Sequence, residues 1–566
     1  MLPFMRNLRK LRRNQQISQM SIVCRGKPIT RDELFTYTNG RFLVDEDRQF
    51  ARRYRKFNLD ALCDIAAAAG ESTSRIIAIE KLEGGFSKAL LMKKEDGCEL
   101  IAKVPCRIAG PAFLTTASEV GTLEYSTYIL YLSWIVKALT RHLSVRKYTS
   151  IPVPRVFSWS PHDSNSVGAE YIVMEKAIGI PLFERWGKMA EIEKLQLIKN
   201  LTQLEAQLSA ISFPAYGGLY LRADADRLKH QDLGGNLDEQ CPFCIGPSPD
   251  RSFDVDAAAD LPTENESINN GPWDSLSDLG ISIAKRELSR IASQFADNQS
   301  MAHRGSPQEQ IHLLEITISL MGMLDSHPVL TQLAQPTLWH TDLHMGNIFV
   351  APDNNSQITA LIDVQSLSVL PLFLQARWPV FLQPPREYTR GLVQPVLPTD
   401  FDSLDEEDKV AALRDWTQAK MAKAYEVSTF IENRLAHNAM NVPRVFRELF
   451  IRTGETSDVG VVPLRECLIE IFQNWSNLGI PGHCPYSFSQ EDIDAHKQQF
   501  AEYEEWNEVQ QLAQESLDTD AEGWVAPQLD FVQKQRQNKE LLSMYIARTE
   551  EKKSPEEVMR IWPFPE

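Results

Sequence analysis

The sequence predicts an α+β fold with a small, β-rich N-terminal part and a large, mainly helical C-terminal part. Three short apolar segments rich in β-forming residues lie within residues 75–104. Longer stretches with the helical spacing of apolar residues follow, among them residues 195–211 and 415–435. At 566 residues and 43% hydrophobic content, the chain can bury more than one sizeable core.

The most informative segment contains the pattern His340-x-Asp342-x4-Asn347 and is followed by Asp363. Apolar runs on both sides predict short strands that flank this loop. Asp342 could orient a substrate hydroxyl and accept its proton, whereas Asn347 and Asp363 offer the oxygen ligands that Mg²⁺ prefers. His340 is expected to brace the loop. We interpret the segment as the catalytic loop and metal site of a phosphotransferase; the alternative is that Asp342 and Asn347 only build a turn.

An upstream segment has the features of a nucleotide-binding region. Lys103 lies on a predicted strand and would clamp phosphates, and Glu119 in a following helix would supply its counter-charge. The alternative for Glu119 is an acid in the first helical turn that stabilises the helix dipole. A glycine-containing turn before this strand would let the backbone approach phosphates, and it consists of Gly84, Gly85, Phe86 and Ser87.

Residues 171–177 predict a strand and a hinge. Backbone groups at Glu175 and Ala177 would bind the adenine ring there.

The order of these parts resembles the aminoglycoside phosphotransferase and choline kinase branch of the protein-kinase-like fold, over residues 74–374. The resemblance implies a two-lobe fold, ATP and Mg²⁺ as cofactors, and Asp342 as the catalytic base. It also implies Asn347 and Asp363 as metal ligands. One departure is Val364, where many members of the branch have tryptophan.

A narrower resemblance covers nearly the full chain. It is to the fungal altered-inheritance-of-mitochondria protein nine group, whose members are phosphotransferase-like mitochondrial proteins. This resemblance implies a location more than a substrate. The segments that carry it are residues 35–41, 216–220, 243–247 and 371–376.

The N-terminus also favours a mitochondrial location. Residues 1–31 contain eight basic side chains and no acidic one, and they begin with an apolar stripe at helical spacing, which is typical of a transit peptide. A basic tail or nucleic-acid arm is the alternative.

The rest of the chain is acidic. It has 51 basic and 76 acidic residues, a net charge of −25, so we expect no general binding of nucleic acid. No run of eighteen apolar residues predicts a transmembrane span.

We expect four parts in the chain: a transit peptide at 1–31, an extension at 32–73, a nucleotide-binding N-lobe with the hinge at 74–176, and a C-lobe at 177–566. Residues 222–273 are rich in Gly, Pro, Asp and Asn and predict a long inserted loop, which is either a specificity element or a solvated insertion without substrate contact. Within it, Cys241 and Cys244 could bind zinc, form a redox dithiol or simply pack.

These patterns together predict a mitochondrial, ATP- and magnesium-dependent kinase that phosphorylates a hydroxyl of a small molecule. An inactive, nucleotide-binding pseudokinase that works through protein contacts is the alternative, although Lys103, Asp342, Asn347 and Asp363 are all intact. A protein acceptor is disfavoured because no activation segment follows Asp363. Acidic residues at 502–508 favour a cationic acceptor, if they lie near the catalytic loop.

Overall fold

The computed structural model describes residues 20–139, 151–233, 241–253, 269–293, 304–549 and 553–565. The chain forms two compact units. The first comprises Met1–Thr116, Val156–Lys176 and Asp494–Glu566, and the second comprises Ala117–Arg155 and Ala177–Ile493. The α+β class predicted from the sequence is confirmed, since most strands lie in the first unit and most helices in the second.

The strands in the described residues are β1 (Ser21–Cys24), β2 (Lys27–Pro28), β3 (Arg41–Phe42), β4 (Ile76–Lys81), β5 (Ser87–Lys94), β6 (Glu99–Pro105), β7 (Val156–Ser160), β8 (Tyr171–Glu175), β9 (Ile180–Pro181), β10 (Gly218–Leu221), β11 (Gln231–Asp232), β12 (Phe243–Gly246), β13 (Pro336–Leu338), β14 (Ile348–Ala351), β15 (Asn354–Leu361), β16 (Val369–Pro371) and β17 (Trp524–Val525).

The α-helices in the same residues are α1 (Glu46–Arg53), α2 (Leu59–Ala68), α3 (Leu114–Leu139), α4 (Leu182–Trp186), α5 (Glu191–Ser209), α6 (Arg222–Ala225), α7 (Leu276–Ser293), α8 (Pro307–Met321), α9 (Pro328–Leu333), α10 (Leu372–Gln375), α11 (Glu406–Glu432), α12 (Arg434–Met440), α13 (Arg444–Gly454), α14 (Thr456–Val459), α15 (Val461–Gln473), α16 (Gln490–Leu517), α17 (Phe531–Thr549) and α18 (Pro555–Ile561). None of the described helices is both long and apolar enough to cross a membrane.

A seven-stranded sheet organises the first unit, with strand order β2-β1-β4-β5-β6-β8-β7. Strands β4 to β8 pair antiparallel, whereas β1 runs parallel to β4. The sheet buries alternate side chains such as Leu90, Met92, Leu100 and Ala102 against helix α2. This core fixes the turn between β4 and β5, where the glycine pair lies.

The predicted transit peptide at residues 1–31 stays a prediction. Residues 1–19 of the predicted transit peptide lie outside the described residues. Residues 21–28, however, form β1 and β2 of the sheet, and Ser21 pairs with Ala78. The basic composition of the segment concealed the β-branched residues Ile22 and Val23, of which Ile22 packs on the sheet core.

The C-terminal segment belongs to the first unit and not, as predicted, to the C-lobe. Strand β17 pairs antiparallel with β3, so that Trp524 lies opposite Phe42. The indole nitrogen of Trp524 donates a hydrogen bond of 2.7 Å to the Asn39 carbonyl. These contacts join residues almost 500 positions apart, and a two-residue strand leaves too short a pattern for the sequence to reveal them.

Helices α5 and α11 form the central pair of the second unit and confirm the helical patterns at 195–211 and 415–435. The hydroxyls of Thr202 and Ser428 lie 2.6 Å apart between them. Helix α5 also packs against β15 and contributes to a core that contains Leu343 and Ile348. Since Leu343 directly follows Asp342, this core anchors the predicted catalytic loop.

The predicted long loop at 222–273 is partly ordered into secondary structure. Its described residues include α6 and the strands β11 and β12, which form a three-stranded sheet with β10. Cys244 is buried on β12, and burial raises the pKa of its thiol to about 12. A thiol that stays protonated at neutral pH is a poor nucleophile, which favours the packing interpretation. The role of the segment in specificity stays a prediction.

Glu205 on α5 gives the second unit a pH-dependent stability. Its carboxyl is buried and accepts a hydrogen bond of 2.8 Å from the Tyr425 hydroxyl, and burial raises its pKa to about 8. The folded state therefore binds a proton that the unfolded state releases above pH 4.5. This contribution to stability is fully present below that pH and falls as pH rises towards about 8, by about 5 kcal/mol.

We expect the Glu205→Gln variant to lose this component, because a neutral amide can still accept the Tyr425 hydrogen bond. Urea unfolding of both proteins between pH 5 and 8.5 measures the difference. A free-energy difference between them that stays constant with pH would contradict a buried, protonated Glu205.

Candidate functional site

The predicted catalytic loop connects β13 to β14 in the second unit. The side chain of Asp342 is 61% exposed, so its carboxylate is accessible to a substrate hydroxyl. Its backbone is held from within the loop, because the Asp342 carbonyl accepts hydrogen bonds from the His344 backbone at 3.0 Å and from Asn347 Nδ2 at 2.9 Å. The loop therefore fixes the main chain of Asp342 and leaves its carboxylate open.

Asn347 is buried, and its amide orientation follows from its contacts. Nδ2 donates to Asp342, so Oδ1 points away from this bond and accepts no hydrogen bond from any described residue. The Asn347 carbonyl accepts a hydrogen bond of 3.0 Å from the backbone of Ile362. That bond holds the backbone before Asp363 next to the loop, so the two candidate metal ligands lie on paired stretches of backbone.

His340 braces this arrangement, as the sequence predicted. It is buried, and its Nε2 donates a hydrogen bond of 2.9 Å to the carbonyl of Ile362, the residue before Asp363. Burial lowers the pKa of the imidazole, so the ring is neutral at neutral pH. A neutral ring that donates from Nε2 has its lone pair on Nδ1, which is buried and has no partner within the described residues.

Asp363 adopts a left-handed backbone conformation with a φ of 61° and has an exposed side chain. Non-glycine residues rarely adopt this conformation, and aspartate and asparagine tolerate it best. The conformation turns the chain directly after β15 and separates Asp363 from the strand. This backbone feature is not readable from the sequence, although the residue type permits it.

His344 lies close to the candidate base. Its Nε2 is 3.9 Å from an oxygen of Asp342, and its Nδ1 accepts a hydrogen bond of 3.0 Å from the Gly346 backbone. The ring is 47% exposed. We leave it outside the catalytic set because Nδ1 already serves the loop.

The glycine turn lies between β4 and β5 of the first unit. Among the described residues, no atom lies within 4 Å of a Cβ placed on Gly84 or Gly85, so both positions border open space. Phe86 is 42% exposed, whereas Ser87 is buried at the start of β5. The turn thus offers accessible backbone, as a phosphate-binding loop requires.

A buried charge cluster holds the base of this turn, and the sequence analysis missed it. Glu83 lies 3.1 Å from the Lys81 ammonium and forms a second, shorter ion pair with Lys88. It also accepts hydrogen bonds from the backbone and hydroxyl of Thr38, at 2.7 and 3.0 Å. Burial lowers the pKa of Lys81, and Glu83 partly opposes that shift. One carboxylate therefore compensates two buried cations.

Arg53 holds the turn from another side. Its Nε donates a hydrogen bond of 3.2 Å to the Gly85 carbonyl, and its Nη2 lies 2.6 Å from a carboxylate oxygen of Glu522. Helix α1 and the C-terminal segment thereby stabilise the glycine turn. The alternating charges around the glycine pair could have indicated the role of Glu83 in the sequence. Nothing near Arg53 in the sequence indicates its contact with the turn.

Lys103 lies on β6, a central strand of the sheet, between Ala89 of β5 and Ile172 of β8. It is 7% exposed, which fits the half-buried strand lysine predicted from the sequence. Glu175 ends the neighbouring strand β8 and lies opposite Leu100. The glycine turn, Lys103 and Glu175 thus belong to one sheet.

Glu119 and Ala177 belong to the second unit. Helix α3 begins at Leu114 and has no acid in its first turn, so Glu119 is not the first-turn helix acid of the alternative interpretation. Glu119 is 2% exposed, and nearby Gly121 lets the helix approach β10, since a Cβ there would meet the Leu219 carbonyl at 2.4 Å. The pairing of Glu119 with Lys103 stays a prediction.

Comparison with known proteins places the chain in a family. No model of a protein family matches it. A subtelomeric hrmA-associated cluster protein of Aspergillus fumigatus is 30% identical over 518 residues, which cover 85% of this chain and 95% of that protein. The chain belongs to the family of this protein.

Other relatives of this chain are named altered inheritance of mitochondria protein 9, mitochondrial. The protein of Yarrowia lipolytica is 22% identical, over 89% of this chain and 86% of that protein. The protein of Lachancea thermotolerans is 24% identical, over 61% of this chain and 64% of that protein. The resemblance to this fungal group is therefore confirmed.

Solved structures resemble this chain only at low overall similarity. A candidate fructosamine-3-kinase of Thermobifida fusca is 12% identical with a TM-score of 0.34, over 73% of this chain and all of that protein. An aminoglycoside phosphotransferase of Streptomyces rimosus is 16% identical with a TM-score of 0.28, over 71% of this chain and 98% of that protein. The roles of the site residues therefore rest on the geometry of this chain.

Proposed function

We propose that this protein is an ATP- and magnesium-dependent phosphotransferase that acts on a hydroxyl of a small molecule. The observation that carries the proposal is the loop from His340 to Asn347. It exposes the carboxylate of Asp342 while its own hydrogen bonds orient the oxygen of Asn347 and hold Asp363 beside it. A simple turn would not need a buried histidine to brace the residue before Asp363.

The residues of the second unit have distinct roles in this proposal. The oxygen of the acceptor hydroxyl forms a bond to the γ-phosphorus of ATP while the bond to ADP breaks. Asp342 accepts the proton of that hydroxyl. Because phosphoryl transfer depends mainly on positioning and charge neutralisation, the rigid backbone of the loop matters as much as the base. His340 stays neutral and holds the loop, which leaves proton transfer to Asp342.

A magnesium ion fits the donor set. Mg²⁺ prefers oxygen ligands and uses few protein groups alongside phosphates and water, and Asn347 Oδ1 and the Asp363 carboxylate are such groups. The amide oxygen has no competing hydrogen bond from the described residues. When bound, the ion would neutralise phosphate charge. Within the described residues, no group of three or more His, Cys, Asp or Glu side chains forms an alternative metal site.

The first unit supplies most of the nucleotide-binding residues in this proposal, and the second unit supplies Glu119 and Ala177. The glycine turn from Gly84 to Ser87 would bind phosphates through its backbone, and Lys103 would add a positive charge. Backbone groups at Glu175 and Ala177 would bind adenine. Glu119 would orient Lys103.

A mitochondrial location is part of the proposal. It is supported by the eight basic and zero acidic residues of positions 1–31 and by the names of the relatives from Yarrowia lipolytica and Lachancea thermotolerans. A fluorescent fusion that keeps the native N-terminus tests the location by co-localisation with a mitochondrial dye.

Transfer of labelled phosphate tests the activity. The purified protein is incubated with γ-labelled ATP, Mg²⁺ and a small-molecule extract of mitochondria, and labelled products are separated by chromatography. We expect label in at least one small molecule and none when EDTA replaces Mg²⁺. ATP binding without any labelled product would instead favour the pseudokinase alternative.

A further inference from the structure

An arginine lies beside the candidate base without a carboxylate partner. Arg377 follows α10, and its Nη2 donates a hydrogen bond of 2.7 Å to the carbonyl of Thr341, the residue before Asp342. The side chain is exposed, and no described residue forms an ion pair with it. Since a guanidinium has five N–H donors, most of its donors face solvent next to the catalytic loop.

Two further arginines surround the same segment. Arg447 donates to the carbonyl of Phe373 at 2.7 and 3.0 Å and to that of Ala376 at 3.3 Å. The guanidinium of Arg390 lies 5.0 Å from the centre of the Trp378 ring. Burial, and then the charges of Arg390 and Arg377, lower the pKa of Arg447, which places the three cations within electrostatic reach of one another.

None of these arginines is compensated by an acid in the described residues. Arg390 donates to the carbonyl of Met440 and the side chain of Asn441, and all partners of Arg447 are backbone carbonyls. Glu426, a buried carboxylate of this region, already pairs with Lys423 at 2.6 Å and accepts the Tyr388 hydroxyl. Glu205 is neutral below about pH 8. The three guanidinium groups therefore keep their positive charges without a paired acid among the described residues.

We propose that Arg377, with Arg390 nearby, binds an anionic group of the acceptor, either a phosphate or a carboxylate. An arginine fork matches both groups and binds them through two parallel hydrogen bonds. The anchor on Thr341 fixes the guanidinium relative to Asp342, so a bound anion would set the distance of the acceptor hydroxyl from the base. This inference rests on the proposed function and opposes the cationic acceptor that the acidic residues at 502–508 favour.

Binding of inorganic phosphate tests the proposal without turnover. The full chain is saturated with the non-hydrolysable ATP analogue AMP-PNP and Mg²⁺, and phosphate is titrated while its ³¹P linewidth is measured. We expect saturable binding that weakens about 10-fold or more in Arg377→Gln, because a hydrogen bond to a charged group is lost. Arg377→Lys, which keeps the charge but not the fork, should lie between the two.

Arg386→Gln is the matched control. Arg386 is an exposed arginine of the following loop, and its replacement removes the same charge. It should bind phosphate as the wild-type protein does. Equal weakening in Arg386→Gln, or no weakening in Arg377→Gln, would overturn the proposal. So would the absence of saturable binding in the wild-type protein.

Titrations with and without AMP-PNP show whether the bound phosphate occupies an acceptor site or the site of the nucleotide phosphates. If phosphate binds only when AMP-PNP is absent, and Arg377→Gln weakens AMP-PNP to the same extent, the arginine serves the nucleotide phosphates and the proposal is wrong. Phosphate binding that persists with AMP-PNP supports an acceptor site even if no labelled product forms, so this result is independent of the activity assay.

Discussion

Replacing Asp363 with asparagine is expected to abolish phosphoryl transfer and to remove the magnesium dependence of ATP binding. The change deletes the one carboxylate of the candidate metal site but keeps a side chain that tolerates the φ of 61°. Loss of an outer partner of a metal ligand alone costs about 10–100-fold in affinity, so loss of a direct ligand should cost at least as much. Calorimetric titration of ATP with Mg²⁺ or with EDTA measures the effect.

Asp353→Asn is the control for this variant. Asp353 lies exposed in the turn between β14 and β15, where asparagine is equally suited. Its replacement by asparagine removes the same charge as the Asp363 variant. It should leave the magnesium dependence intact. A wild-type magnesium response in Asp363→Asn would exclude Asp363 as a ligand, whereas unfolding of Asp363→Asn but not of Asp353→Asn would show a structural role.

The Glu83→Gln variant should lose about 3–5 kcal/mol of unfolding free energy. Removal of one partner from a buried ion pair leaves an uncompensated charge, and here Lys81 and Lys88 would both lose their counter-charge. Both ammonium groups would still donate to the Thr36 carbonyl at 2.7 Å, and these hydrogen bonds limit the loss of stability. Urea denaturation monitored by tryptophan fluorescence measures the change.

The matched control is Glu99→Gln, which breaks the pair of Glu99 with Lys176 in the same sheet. These side chains are 33% and 48% exposed, so the loss should stay below about 1 kcal/mol. Equal stability of the two variants would contradict the cluster. Because Glu83 directly precedes Gly84, we also expect weaker ATP binding in Glu83→Gln at temperatures where it remains folded.

The candidate catalytic loop could be singled out because its information is local. His340, Asp342 and Asn347 lie within eight residues, flanking apolar runs indicate the strands, and the residue types restrict the chemistry. The same holds for the helices α5 and α11, whose apolar periodicity extends over several turns. The brace from His340 to Ile362 was also predictable, since a buried imidazole needs a partner.

Contacts between distant parts of the chain were not predictable. Strand β17 has two residues and pairs with β3 near the other end of the chain, so no periodic pattern reveals that the C-terminal segment joins the first unit. The arginines around Arg377 likewise come from separate parts of the chain, since Arg377 and Arg390 lie in the segment after α10 and Arg447 lies on α13, and only the fold brings them together. A single sequence shows their charges but not their neighbours.

The left-handed backbone of Asp363 lies between these cases. Its residue type allows the conformation, yet many aspartates after strands do not adopt it. The bond from Ile362 to the Asn347 carbonyl holds it in place, and that bond joins two segments whose contact the sequence does not show. Candidate site residues are therefore easier to single out from a sequence than the contacts that orient them.

The most direct test of a phosphotransferase site is the transfer of label by wild-type protein and by Asp342→Asn under the same conditions. The variant keeps the size of the side chain and the backbone bonds that hold the loop, but it cannot accept the hydroxyl proton. We expect transfer to fall by at least about 100-fold, the lower range for loss of a positioned base, with unchanged ATP affinity. Equal label transfer by both proteins would contradict the assignment of Asp342 as the base.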